Sequence, residues 1–201
     1  MLDDAEKKAE KYATLACDAS PDSPVALSLF ASVRLSQNRN DEASQLLDVA
    51  HTKLFTKPGL VPSYPERLHI VKLFIETEKH GKALELLETL QREDEDNVEL
   101  WYYYTVAYFS DVSDSTREDN WKNACECAEM CLKLYDKMEW DDEPLREGCF
   151  QMLEEIKKAG ILLDKEEEEE GDEDGDVDED EWADTDEDVD MEDAESDWMS
   201  M

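Results

Sequence analysis

Apolar residues recur three or four positions apart through most of residues 3–163, and strand-like alternation of apolar and polar residues is absent. This spacing places the apolar side chains on one face of an α-helix. The six glycines and six prolines fall mostly between the periodic segments, where these residues end helices. The pattern therefore predicts an all-α fold.

One helical motif occurs four times along this region. Small residues take the same place in each copy, at Ala9, Ala43, Ala83 and Ala124. The first two copies are 34 residues apart, and the later copies are separated by about 40. A period of 34 residues with small residues at fixed places resembles the tetratricopeptide repeat, a helix–turn–helix unit. The resemblance implies an α-solenoid of about three and a half repeats plus a terminal helix.

Aromatic residues support the same resemblance. In this family a large residue, often tryptophan, opens the first helix of a repeat and a tyrosine follows seven residues later, as Trp101 and Tyr108 do here. One repeat earlier, Leu27, Phe30 and Ala31 fill the equivalent places, but Arg34 stands where the tyrosine is expected.

The motif positions give the following boundaries. We expect half a repeat at about 3–19, helix pairs at 24–55, 65–94 and 98–136, and a terminal helix at 144–163. The longer spacings predict extra residues at 57–65 and a polar loop within 110–120. A solenoid that begins on a lone second helix leaves an apolar face unpaired. Either an atypical cap stands there, or an N-terminal repeat carried by relatives is missing.

Residues 164–201 differ sharply from the rest in composition. They contain 12 Asp and 11 Glu against a single Lys, which gives a net charge of −22. Such a segment lacks the apolar residues needed to offset the entropy of ordering. The sequence therefore predicts a tetratricopeptide-repeat domain at 3–163 and a disordered acidic tail at 164–201.

Charge also restricts the partners. The whole chain carries −36, so residues 1–163 are acidic as well, at −14. Two acidic parts favour a basic client protein and exclude direct binding to nucleic acid. No stretch approaches 18 consecutive apolar residues, so no membrane partner is expected, and the charged start lacks an apolar signal segment. Five cysteines, an odd number, indicate a reducing compartment.

The chain shows no pattern typical of catalysis. Glycine-rich phosphate loops and the common hydrolase motifs are absent, so the sequence predicts no enzyme activity and no cofactor. The cluster of Cys125, Cys127 and Cys131 could suggest a metal site, but no histidine lies nearby in sequence. Because free cysteine is a common core residue, we expect these thiols to pack within the repeat and to bind no metal.

The resemblance implies that the first helix of each pair lines a concave groove. The groove-facing spacing includes Lys72, and in the run 101–104 we expect Trp101 and Tyr104 to face the core and the other two tyrosines to face outward. The alternative is that these two tyrosines pack under the terminal helix. The candidate client-binding residues are Leu68, Ile75, Glu76, Glu99, Tyr102, Tyr103, Val106 and Phe109.

A short repeat array followed by an acidic stretch around Trp182 is similar to the fungal family of assembly chaperones dedicated to large-subunit ribosomal protein L-four. That resemblance implies a monomeric escort of the cytoplasm and nucleus. Such an escort binds a newly made, basic ribosomal protein, keeps it soluble and delivers it to nuclear pre-ribosomes. A histone chaperone, or a non-catalytic tetratricopeptide scaffold subunit, would satisfy the same charge pattern.

Overall fold

The computed structural model describes residues 2–56, 61–111 and 116–161, and these ranges contain eight α-helices and no β-strand. The prediction of an all-α fold is confirmed. The acidic segment 164–201 lies outside the described residues, as do parts of the two predicted connections, 57–60 and 112–115. The helices are α1 (Leu2–Ala19), α2 (Pro24–Ser36), α3 (Asn40–Thr56), α4 (Tyr64–Glu76), α5 (His80–Gln91), α6 (Val98–Ser110), α7 (Arg117–Lys137) and α8 (Glu143–Lys158).

Polar side chains fix the starts of several helices. The Ser23 hydroxyl accepts a hydrogen bond from the Ala26 backbone N–H, and the Asn97 side chain accepts one from Leu100 at 3.1 Å. Asp142 caps α8 in the same way, with Pro144 in the first turn. These caps satisfy backbone donors that have no partner within the helix. None of the helices in the described ranges is long and apolar enough to cross a membrane.

Three helix ends share one geometry. Two residues beyond α2, α4 and α7, the backbone takes a positive φ, at Asn38 (57°), Glu78 (56°) and Glu139 (50°). The N–H of the following residue donates to a carbonyl five residues earlier, as from Arg39 to Arg34 at 2.9 Å. Glycine usually occupies this left-handed position, because other residues have a steric cost there.

Glycine at position 139 should therefore stabilise the fold. We expect Glu139→Gly to raise the free energy of unfolding by about 0.5–1 kcal/mol, measured from the urea midpoint. The matched control is Glu126→Gly, at an exposed position in the middle of α7, which should cost about 1 kcal/mol. A lower midpoint for Glu139→Gly would show that the Glu139 side chain makes a contact worth more than the backbone strain.

In each of the pairs α2–α3, α4–α5 and α6–α7 the helices run antiparallel, because an ion pair joins the start of one to the end of the other. Lys53, late in α3, pairs with Asp22, which precedes α2, and Arg34, late in α2, pairs with Glu42, early in α3. In addition to each sequential neighbour, α2 contacts α4, α4 contacts α6, and α6 contacts α8.

The alternate helices α3 and α5 are also joined directly. Asp48 accepts hydrogen bonds from Lys79 at 2.6 Å and Lys82 at 2.7 Å. One turn further along α3, His51 Nε2 lies 3.0 Å from Glu85 Oε2. The side chains of α3 and α5 thus join two successive helix pairs directly.

The main core lies between the helix pairs, around the fully buried Phe74. Tyr104 is 4 % exposed and stacks on Tyr108 with ring centroids 6.1 Å apart, while Trp101 packs against the same core and donates its indole N–H to the Glu95 carbonyl at 2.7 Å. The prediction that Trp101 and Tyr104 face the core is confirmed. Two smaller clusters join α8 to α6 and α7.

Arg34, which replaces the expected tyrosine, ties α1 to the first pair. Its side chain is 10 % exposed, and the guanidinium lies 2.6 Å from Glu10 on α1 and 3.2 Å from Glu42 on α3 and stacks 4.4 Å from the Phe30 ring centroid. It also donates to Gln37 at 2.9 Å. A charged residue thus fills the place of an aromatic one, because carboxylates from two other helices surround it.

One predicted boundary was wrong. The terminal helix was expected to reach residue 163, but α8 ends at Lys158 and the chain turns at Gly160, where φ is +78° and favours glycine. The predicted polar loop does lie within 110–120, because α6 ends at Ser110 and α7 begins at Arg117. There Glu118 and Asp119 favour a helix start, and the Arg117 guanidinium stacks 4.2 Å from the Trp121 ring centroid.

Candidate functional site: a groove between α4 and α6

A concavity of about 270 Å³, which we call the apolar concavity, lies between α4 and α6. It brings together five of the eight candidate residues proposed from the sequence. Lys72, also assigned to the groove, completes the lining. The lining residues are Lys72, Ile75, Glu76, Tyr102, Tyr103 and Val106.

The side chains of α4 and α6 that line the concavity lie on one face of each helix, because the other faces are buried in the core. On α4 the buried positions include Ile70, Val71 and Phe74, and on α6 they include Tyr104 and Ala107. Residues on the remaining stripe of each helix stay half-buried or exposed, and the contact between α4 and α6 places the two stripes beside each other.

The other three candidate residues lie elsewhere. Leu68 is only 6 % exposed within the main core, so it presents little surface to a client. Phe109 stacks on Trp121, with ring centroids 5.4 Å apart and planes 10° apart, and packs against the cluster that holds α8. Glu99 is half-buried and does not line the concavity. After burial, its negative charge is a further cause of the raised pKa of Tyr103.

Tyr102 and Tyr103 line the concavity with different supports. Their rings meet edge to face, 5.7 Å apart. Tyr102 also packs against α8, because a Cβ at Gly148 would lie 3.1 Å from the Tyr102 hydroxyl. For Tyr102 the structure thus matches the alternative of packing under the terminal helix. Burial raises the pKa of both hydroxyls, so at neutral pH both remain protonated hydrogen-bond donors.

A second concavity, about 240 Å³ and mainly polar, adjoins the first through Glu76. We call it the acidic concavity. It is formed where the start of α3 meets the end of α4, and it was not found from the sequence. Its residues belong to different helix pairs and follow no periodic pattern, so only the density of carboxylates could have indicated it. The lining residues are Asn40, Asp41, Ser44, Glu76, Thr77 and Glu78.

The three clustered cysteines lie in three separate apolar clusters. Cys125 packs near Trp121, Cys127 joins the main core, and Cys131 lies beside Cys149 of α8. Among the described residues, no three His, Cys, Asp or Glu side chains are arranged to hold a metal ion. Burial raises the pKa of the Cys127 thiol to about 12, and a hydrogen bond with Cys149 together with burial raises that of Cys131.

These environments predict unequal thiol reactivity. At neutral pH, iodoacetamide should modify Cys17, which is half-buried, well before the four buried cysteines, because only the accessible thiolate reacts. Mass spectrometry of the labelled peptides measures each rate, and all five should react in guanidinium chloride. Labelling of Cys131 or Cys149 as fast as Cys17 in the folded protein would show that α8 detaches readily.

Comparison with known proteins gives two informative relatives. No model of a known protein family matches the chain. It is 31 % identical, over 183 residues, to a Schizosaccharomyces pombe protein named "Probable assembly chaperone of rpl4". The aligned region covers 84 % of this chain and 54 % of that protein. The chain is 29 % identical, over 175 residues, to an Emericella nidulans protein of the same name, covering 78 % of this chain and 46 % of that protein.

The chain thus spans about half the length of the curated relatives that it matches. Their names describe a chaperone of a ribosomal protein and favour a non-enzymatic role. The resemblance that the sequence suggested is confirmed: over about four fifths of its length, this chain is similar to proteins named as assembly chaperones of rpl4.

Proposed function

We propose that this chain is a dedicated escort of a newly made ribosomal protein of the rpl4 type. It binds the basic client in its groove, keeps it soluble and delivers it to pre-ribosomes in the nucleus. The observation that carries the proposal is the similarity to the two relatives named for this role. The acidic character of the chain, with a net charge of −36, fits a client rich in lysine and arginine.

The proposal includes a tetratricopeptide solenoid as the scaffold. Three observations support it: the antiparallel pairs, the contacts of α2 with α4 and α4 with α6, and the side-chain contacts between α3 and α5. In such a solenoid each repeat contacts only its neighbours, and the stacked first helices form one continuous concave surface. The apolar concavity would then be part of the client groove.

Charge explains why a basic client would need an acidic escort. A ribosomal protein outside the ribosome binds RNA without specificity, because its cations displace the counterions of the phosphate backbone. An acidic protein that covers those cations prevents this binding. The scaffold needs no catalytic group for this role, and as a monomer it could enter the nucleus with its client.

The acidic tail, residues 164–201, would act as a second contact. Its charge of −22 attracts a basic client from a distance, and its covalent link to the helical region raises the local concentration of carboxylates around a bound client.

Deleting residues 164–201 should therefore leave the thermal midpoint of the helical region nearly unchanged. The association rate constant for a basic client should fall about three- to tenfold at low ionic strength, and this difference should vanish in high salt because the charges are screened. Stopped-flow mixing measures the rate, and a neutral Gly/Ser tail of equal length is the control. A large fall in thermal midpoint, or a rate effect independent of salt, would contradict the assigned role of the tail.

Solubility in the presence of RNA tests the main proposal. Purified ribosomal protein of the rpl4 type is mixed with RNA, with and without the full chain, and the soluble fraction is measured after centrifugation. The full chain should keep the client soluble in a one-to-one complex that excludes RNA. A histone in place of the ribosomal protein should be retained far less well. Equal retention of both clients, or of neither, would overturn the proposed client.

A further inference from the structure

The groove contains two adjoining sites of opposite character. The apolar concavity is lined mainly by Ile75, Val106 and the two tyrosines, whereas the acidic concavity is lined by carboxylates and small polar groups. Glu76 belongs to both, so the two sites are immediate neighbours. Their volumes of about 270 and 240 Å³ lie below the range of about 300–1,000 Å³ that is usual for small-molecule pockets. Each is better suited to a single large side chain.

The carboxylates of the acidic concavity are unneutralised. Asp41, Glu76 and Glu78 form no ion pair with any described residue. Elsewhere on α3, Glu42 is bound by two arginines and Asp48 by two lysines. Cations of the protein itself therefore neutralise those carboxylates of α3 but leave these three available to a cation from outside.

We propose that the groove recognises an extended client segment in which a large apolar side chain lies two residues from a lysine or arginine. The apolar side chain enters the apolar concavity, and the cation enters the acidic concavity. This inference rests on the proposed function and specifies which part of a basic client the groove takes.

The spacing follows from chain geometry. A cavity of about 270 Å³ is roughly 8 Å across if it is taken as a sphere, so the centres of two adjoining cavities lie a similar distance apart. In an extended chain, side chains i and i+2 point the same way and are separated by about 6.6 Å. Residues i and i+1 point to opposite sides and cannot fill both cavities.

Lys72 gives the site a preferred direction for the bound segment. It lines the apolar concavity one helical turn before Glu76, further from the acidic concavity at the end of α4, and pairs with no described carboxylate. A client cation is therefore attracted toward Glu76 and repelled from Lys72. The site thus favours a cation on one side of the apolar residue.

Peptides of matched composition test the spacing. Nine-residue Gly/Ser peptides each carry one Phe and one Arg, at i and i+2 in both orders, at i and i+1, or at i and i+5. They are titrated into the full chain and followed by NMR. One order of the i, i+2 peptide should bind with a dissociation constant of about 0.1–1 mM, at least fivefold more tightly than the other spacings. Equal affinities, or no binding by any peptide, would overturn the inference.

Variants locate the binding. Asp41→Asn with Glu78→Gln should weaken the best Phe–Arg peptide several-fold and leave its Phe–Gln counterpart unchanged. The control, Glu126→Gln with Glu155→Gln, removes the same charge from exposed positions on α7 and α8 and should have little effect. If both variants weaken the peptide equally, only net charge matters and the inference fails.

Binding of the full ribosomal protein is measured as well, so that failure of the paired-anchor inference can be told apart from failure of the proposed function. If the client binds while the peptides show no preference for spacing, the proposed function stands and the paired anchor is wrong. If the peptides behave as expected but the client does not bind, the anchor stands and the client assignment is wrong.

Discussion

Replacing Arg34 by alanine should lower the free energy of unfolding by about 2–3 kcal/mol. The Arg34 side chain is 10 % exposed, and its guanidinium is the shared partner of Glu10, Gln37 and Glu42. Its loss removes charge-assisted hydrogen bonds and the contact with Phe30. The cost stays below that of a fully buried pair because both carboxylates reach water once Arg34 is gone. Urea unfolding of the variant measures the change.

Arg39 offers a matched control for this substitution. It binds the same two carboxylates, Glu10 and Glu42, but it is 41 % exposed, so Arg39→Ala should cost no more than about 1 kcal/mol. Arg34→Lys should recover little of the loss, because a point charge cannot reproduce the planar fork. Equal effects of Arg34→Ala and Arg39→Ala would show that burial of the guanidinium contributes nothing.

The hydrogen bonds around Arg34 also make the free energy of unfolding depend on pH. Hydrogen bonds from Arg34 and then Gln37 lower the pKa of Glu10 from its ordinary value of 4.5. A carboxyl with a lowered pKa in the folded state contributes stability above its unfolded pKa and loses it as the pH falls through the folded pKa. The difference in stability between the wild-type chain and Arg34→Ala should therefore narrow below about pH 4.5.

Much of the helical architecture could be predicted because it is encoded locally. Apolar periodicity indicated the helices, and the recurrence of Ala9, Ala43, Ala83 and Ala124 placed the pairs. The side chain at position 34 shows the limit of such patterns. A motif predicts which position of a helix packs against its neighbours. It cannot show that an arginine is acceptable there, because the carboxylates of Glu10 and Glu42 that bind it come from other helices.

The candidate site was predictable in part for the same reason. Helical spacing identified Ile75 and Val106, which lie on the shared stripe. It could not tell that Tyr102 also packs against Gly148, because that contact depends on how α8 lies across α6. Nor could it find the acidic concavity, where Asp41 meets Glu78 across two helix pairs.

Changing Tyr103 to alanine together with Glu76 to lysine should weaken binding of a basic ribosomal client by more than tenfold, or about 1.4 kcal/mol. The first change removes an aromatic contact from the apolar concavity. The second reverses the one charge that both concavities share, so a client cation would meet a lysine. Tyr103 is preferable to Tyr102 here, because Tyr102 supports α8 as well as the groove.

The control must make the same chemical changes away from the groove. Tyr12→Ala with Glu126→Lys removes a tyrosine that is 67 % exposed on α1 and reverses an exposed charge on α7. Client affinity should then fall only slightly, through the smaller net negative charge. Circular dichroism and the urea midpoint establish that both double variants fold. If the two folded variants lose affinity equally, the client senses overall charge alone, and the groove between α4 and α6 is not its binding site.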